Sequence, residues 1–163
     1  MICNDPARSE PVTHLPRTLA AALALVVGGA LLAPHAAQAQ EGPSVAEYRQ
    51  SLMQAFRTHM GGIGAALGGA APVGHAEHHA VAFERMAQAL ANAFPEGTAG
   101  GRALPAIWEN RDDFMDKVTA IQTASARLVT ASRTGDAEQI GAAMQGVRQT
   151  CGGCHGDFRG PAN

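Results

Sequence analysis

The chain is poor in aromatic side chains, 4% of its 163 residues, although hydrophobic residues reach 46%. Alanine, a strong helix former that fills little core volume, is the commonest residue in that apolar fraction. Alternating runs of β-branched or aromatic residues, the mark of strands, are absent, so an all-β or α/β domain is close to excluded. An excess of charge of one sign is also missing: 12 Lys+Arg stand against 14 Asp+Glu. That balance argues against a nucleic-acid binder with a broad basic face. Cysteine is scarce, with three residues, so there is no disulfide framework. Nor is there a nucleophile–base constellation for hydrolysis or group transfer, and enzymatic turnover is not indicated. The length suits one domain.

Residues Leu19 to Leu32 carry no charge. As a helix they would span roughly 21 Å at about 1.5 Å per residue, short of the ~30 Å hydrocarbon core. Arg8 and Arg17 precede the run, and Ala37-Gln38-Ala39 follows it with small residues at both recognition positions. This pattern predicts a secretory signal peptide over residues 1–39, cleaved after Ala39, and a mature domain over residues 40–163. Cys3 would leave with the peptide. No later segment is long and apolar enough to span a membrane, so no insertion of the mature chain is expected.

The mature segment reads as four helices. Ser44-Val45-Ala46-Glu47 has capping-box spacing and opens the first. Val45, Tyr48, Leu52, Met53, Phe56, Met60 and Ile63 share one sector along it, and the helix should fail in the Gly-rich stretch Gly61–Gly74. A second stripe, His79, Phe83, Met86, Ala87, Leu90 and Phe94, is stopped by Pro95. Pro105–Trp108 forms a helical turn into a third helix near Asp112, with Phe114, Val118, Ile121, Leu128 and Val129 on its apolar face. Thr134-Gly135-Asp136 is a stop and restart. The fourth helix carries Ile140, Met144, Val147, Cys151, Cys154 and Phe158. The fold class is all-α, an antiparallel four-helix bundle.

Cys151-Gly152-Gly153-Cys154-His155 is the decisive motif. C-x-x-C-H is the attachment sequence of c-type haem: each thiol adds to one vinyl group, and the adjacent imidazole reaches the iron. On a helix Cys151, Cys154 and His155 fall within about 100° of one another. That sector coincides with the apolar stripe, so haem c, one per chain on Cys151 and Cys154, would lie in the bundle core. A thioredoxin-like redox pair lacks its βαβ setting. A structural zinc site lacks two of its four ligands, and an i, i+3 disulfide would leave His155 incidental.

With Tyr48–Met53 at the start, Phe94–Thr98 in the middle and Cys151–Arg159 at the end, residues 44–160 resemble the class II c-type cytochromes, most closely the cytochromes c′. The resemblance implies a periplasmic four-helix bundle with one haem c, often a homodimer, that transfers electrons with small redox proteins of the periplasm or binds NO or CO. It places Arg49 and Gln50 beside the haem propionates, Arg159 near the proximal imidazole of His155, and Met53 on the distal side of the iron. Arg49 on the edge of the apolar stripe is a cation in want of an anionic partner, against the alternative of a solvated surface charge. Arg159 is equally consistent with a solvated helix end.

Met53 divides the functional readings. In cytochromes c′ the residue at this position is apolar and non-coordinating, and His155 would be the sole protein ligand of a five-coordinate iron open to gases. In low-spin members of the same class a methionine there is the sixth ligand, which suits pure electron transfer. A haem-based gas sensor or NO-buffering module is the reading from another class, though no output domain extends beyond the bundle. His75 and His79, at i and i+4, have a spacing that could hold a metal, but a lone pair is weak and His79 falls on the core stripe. His59 reads as a core-edge residue.

Overall fold

The computed structural model describes residues 44–161. The signal-peptide reading of residues 1–39 lies outside them. Five helices follow in order: α1 (Val45–Leu67), α2 (His75–Ala89), the short α3 (Ala106–Glu109), α4 (Arg111–Thr134) and α5 (Ala137–Phe158). The four long helices make the expected bundle, with α1 packed on α2, α2 on α4 and α4 on α5. No strand occurs among the described residues, and none of their helices is long and apolar enough to cross a membrane.

Local chemistry sets the ends. Ser44 and Glu47 form the capping box, with the Ser44 N–H donating to Glu47 Oε2 at 2.7 Å and the Glu47 N–H to Ser44 Oγ at 3.3 Å. Asp136 caps α5 by accepting from the Glu138 and Gln139 amides at 2.9 and 3.1 Å. Gly135 ends α4 at φ +69°, a left-handed position that costs glycine nothing. After α2 a single 3₁₀ turn, Leu90–Asn92, leads into Pro95.

One expectation for α1 holds and another needs correction. The helix does end within Gly61–Gly74, but Gly61, Gly62 and Gly64 are helical and the break comes only after Leu67. At Gly62 the reason is close packing: an added Cβ would stand 2.4 Å from the His79 imidazole on α2. Val45 and Tyr48 are not core residues but exposed, at 39% and 45%. The buried face instead runs through Arg49, Leu52, Phe56, Ile63 and Ala66. Arg49 takes the inward place in that first stretch, so Tyr48, one residue before it, stands about 100° away, while Val45 is the first residue of the helix.

The core matches the composition. Ala76, Ala80 and Ala87 are wholly buried on α2, so the helices approach closely, and the Phe56 and Phe83 rings pack at a 55° tilt with centroids 4.6 Å apart. Ser125 and Ser132 are buried on α4, and their hydroxyls donate back to the Gln122 and Leu128 carbonyls at 2.8 Å. Nearer the haem motif, Phe94, Phe114 and Phe158 meet edge to face at 5.0 and 5.3 Å.

Candidate functional site

A cavity of about 520 Å³ opens between α1, α4, α5 and the loop before α3. That size falls within the roughly 300–1,000 Å³ usual for cofactor sites. Cys151, Cys154 and His155 border it from α5, and Met53 and Phe56 from α1. The spacing of the motif on one continuous helix brings both thiols and the imidazole to the same wall, as the sequence requires.

Both cysteines are free and half-buried. Burial pushes the Cys151 thiol up, and burial together with the neighbouring Cys151 pushes Cys154 up to about 11. Such thiols stay protonated at neutral pH, unlike the activated thiolate of a redox C-x-x-C pair. His155 moves the other way. Burial, then the positive charges of Arg159 and Arg102, holds it below the ordinary imidazole range. Its neutral form, with a lone pair for a metal, is therefore favoured near pH 7.

Arg49 is buried, at 5% exposure. Its Nε donates to the Ala93 carbonyl at 2.8 Å, Nη1 to the Thr98 carbonyl at 2.7 Å, and Nη2 to the Thr98 hydroxyl. The guanidinium also lies 4.6 Å from the Phe94 ring centroid and 5.5 Å from that of Trp108. The solvated alternative does not hold. Arg49 borders the cavity, but its hydrogen-bond partners are neutral oxygens of the loop after α2, an anchoring role that periodicity did not reveal. Gln50 is exposed at the cavity edge, and Arg159 is exposed beside it. Met53 is half-buried and borders the cavity.

Four further cations reach the cavity: Arg57, Arg102, Lys117 and Arg148. With Arg49 and Arg159 they make six, and no carboxylate lines the space. Helical register carries a signal for three of them, since Arg57 is i+4 from Met53, Arg148 is i−3 from Cys151 and Lys117 is i+3 from Phe114. Arg102 sits in an irregular loop and had no such signal. Its Nε and Nη2 donate to the Gly160 carbonyl at 2.9 and 2.8 Å, while the Gly160 N–H donates to the Arg102 carbonyl at 2.8 Å. The loop before α3 is thereby clasped to the end of α5.

Paired thiols with an adjacent neutral imidazole, a largely apolar space and a positive lining in which, among the described residues, only Lys117 is ion-paired, with Asp157 at 3.1 Å, fit a dianionic, apolar, thioether-linked macrocycle. The class is that of a c-type cytochrome with its haem motif on the last helix of a bundle. Comparison with known proteins agrees. Residues 44–159 match the family model of cytochrome C′. The cytochrome c′ of Rhodospirillum rubrum is 36% identical over 134 residues, covering 80% of this chain and 91% of that protein. Cytochrome c-556 of Agrobacterium tumefaciens is 37% identical over 116 residues, covering 69% and 94%. Among solved structures, a nitric oxide complex of a cytochrome c prime variant from Alcaligenes xylosoxidans has a TM-score of 0.67 at 28% identity, covering 72% of this chain and 94% of that one. The chain belongs to the cytochrome c′ family, and its cofactor is haem c on Cys151 and Cys154.

Proposed function

We propose that this cytochrome is exported to the periplasm after cleavage behind Ala39, and that it transfers electrons with small redox proteins or binds NO or CO at a five-coordinate haem. The observation that carries this reading is one cavity bordered by Cys151, Cys154 and His155 on α5 and by Met53 and Phe56 on α1. When bound, the haem would supply a one-electron redox centre and an iron able to take a gaseous ligand. His155 would hold the iron through its imidazole, kept neutral by burial and by the Arg159 and Arg102 charges. Arg49 and Gln50, which both border the cavity, would lie beside the propionates. Met53 serves as a packed apolar lid that keeps water from the distal side. Support for gas binding comes from the relatives, since similar solved structures hold nitric oxide or carbon monoxide. The homodimer rests on family resemblance, and sedimentation showing a monomer at micromolar concentration would remove it.

The same placement of the Met53 thioether favours a second reading, in which it is the sixth ligand and the protein is purely an electron carrier. Optical spectra of the ferric and ferrous holoprotein, with and without CO, decide between them. A broad high-spin ferrous band that sharpens with CO is the result expected for an open iron. Sharp low-spin bands, a weak far-red ferric absorption and indifference to CO would assign Met53 as a ligand and end the gas-binding proposal.

A further inference from the structure

A second constellation of donor atoms lies away from the cofactor cavity, in the seam between α1 and α2. His59 on α1 and His79 on α2 face each other with their Nδ1 atoms 3.1 Å apart and ring centroids 5.3 Å apart. Both rings are half-buried. The His79 ring lies across the α1 backbone at Gly62, where an added Cβ would stand 2.4 Å from its Nε2 and Cε1. That packing holds the ring in place, with Nδ1 aimed at His59. Among the described residues no carboxylate forms an ion pair with either imidazole.

Two ring nitrogens this close need something between them. A shared proton is one answer and a divalent cation is the other, because each neutral imidazole offers a lone pair. Bonds of about 2.0–2.1 Å to two nitrogens 3.1 Å apart subtend roughly 95–102° at a common metal, between the square-planar and tetrahedral angles. The i, i+4 pair that sequence spacing suggests, His75 with His79, is not the one that meets. His75 instead stands beside His78, with centroids 6.1 Å apart and both rings exposed.

We propose that His59 and His79 form a two-histidine site for a divalent first-row transition metal ion, which staples α1 to α2. No group of three or more His, Cys, Asp or Glu is gathered for a metal among the described residues, so water completes the coordination shell. With two protein ligands the affinity is micromolar rather than that of a closed structural site. Copper(II) binds more tightly than zinc(II), following the general order for nitrogen sites.

Isothermal titration of the ferric holoprotein with zinc chloride near neutral pH tests this. The expected result is one micromolar zinc per chain, lost in His59→Gln and in His79→Gln, and retained in a His75→Gln, His78→Gln double variant. Far-UV circular dichroism and the haem absorption spectrum check that each variant is folded. Should His79→Gln fail to fold, His59→Gln carries the test by itself, with a second readout: zinc raises the melting temperature of the parent protein and not that of the variant. Zinc binding that survives His59→Gln, that disappears in the His75/His78 double variant, or that is absent at sub-millimolar zinc would overturn the proposal. None of these outcomes depends on the ligation state of the haem.

Discussion

Replacing Arg49 probes the link between the first helix and the loop that borders the haem cavity. Its three hydrogen bonds end on Ala93 and Thr98. Bonds from a charged donor are each worth about 1.5–3 kcal/mol net, so the three together come to roughly 4.5–9 kcal/mol. Against this, removing a buried charge that no carboxylate neutralises returns several kcal/mol. The apolar stem of methionine also preserves part of the packing over Phe94 and Trp108. Arg49→Met is therefore expected to destabilise the protein by about 3 kcal/mol, measured as the shift in urea midpoint at constant slope. At roughly 4 °C per kcal/mol for a domain of this size, the melting temperature should fall by about 12 °C. Arg49→Lys is the sharper variant. It keeps the charge but cannot reproduce the planar fork, so it leaves a buried ammonium with fewer acceptors and should cost at least as much as methionine. A methionine variant within about 1 kcal/mol of the parent, or a lysine variant indistinguishable from it, would refute the anchoring argument. The proposed propionate contact has its own readout, because loss of a cation beside the haem stabilises the ferric state and lowers the reduction potential.

Other substitutions test separate parts of the structure. Gly61→Ala faces open space on α1 and should stabilise by about 0.5–1 kcal/mol through helix propensity, whereas Gly62→Ala meets the His79 ring and should destabilise by about 1–2 kcal/mol, both read from urea midpoints. Asp136 is held below the ordinary carboxylate range by hydrogen bonds from the Gln139 and Glu138 backbone. Its charge-dependent stabilisation is complete above its unfolded pKa and lost as pH falls through the folded one, so the stability gap between the parent and Asp136→Asn should close on acidification below about pH 4. Cys151→Ala combined with Cys154→Ala should release all haem on acid–acetone extraction, while either single variant should retain it through one thioether; retention by the double variant would disprove attachment at these residues.

The four long helices were legible because an apolar stripe at helical spacing survives even where alanine dominates, as on α2. Caps were legible for the same local reason: Ser44, Glu47 and Asp136 act on amides two or three residues away. Interhelical provisions were not. Gly62 reads as a helix breaker until the His79 ring is seen across it, and Arg49 reads as a charge in want of an anion until Ala93 and Thr98 arrive from a loop some 45 residues later. Within the site the same division holds. Cys151, Cys154 and His155 share a helix, so register alone brings them together, while Arg102 enters from irregular backbone through its clasp on Gly160.

That division bears on Met53. Its position on the cavity side of α1 follows from the stripe it shares with Phe56, but whether its sulfur coordinates depends on how closely α1 approaches the haem plane. Arg49, one turn earlier on the same helix, is fixed to the loop after α2 by three hydrogen bonds, and its stem packs over Phe94. The approach of α1 at Met53 is thus set partly by a contact that Met53 does not make. If Met53 is a lid and not a ligand, slackening that anchor in Arg49→Met should change the CO on-rate while leaving the ferrous spectrum high-spin. A spectrum that turns low-spin in the variant would mean instead that the anchor holds the thioether away from the iron. An unchanged on-rate would show that α1 keeps its place without Arg49.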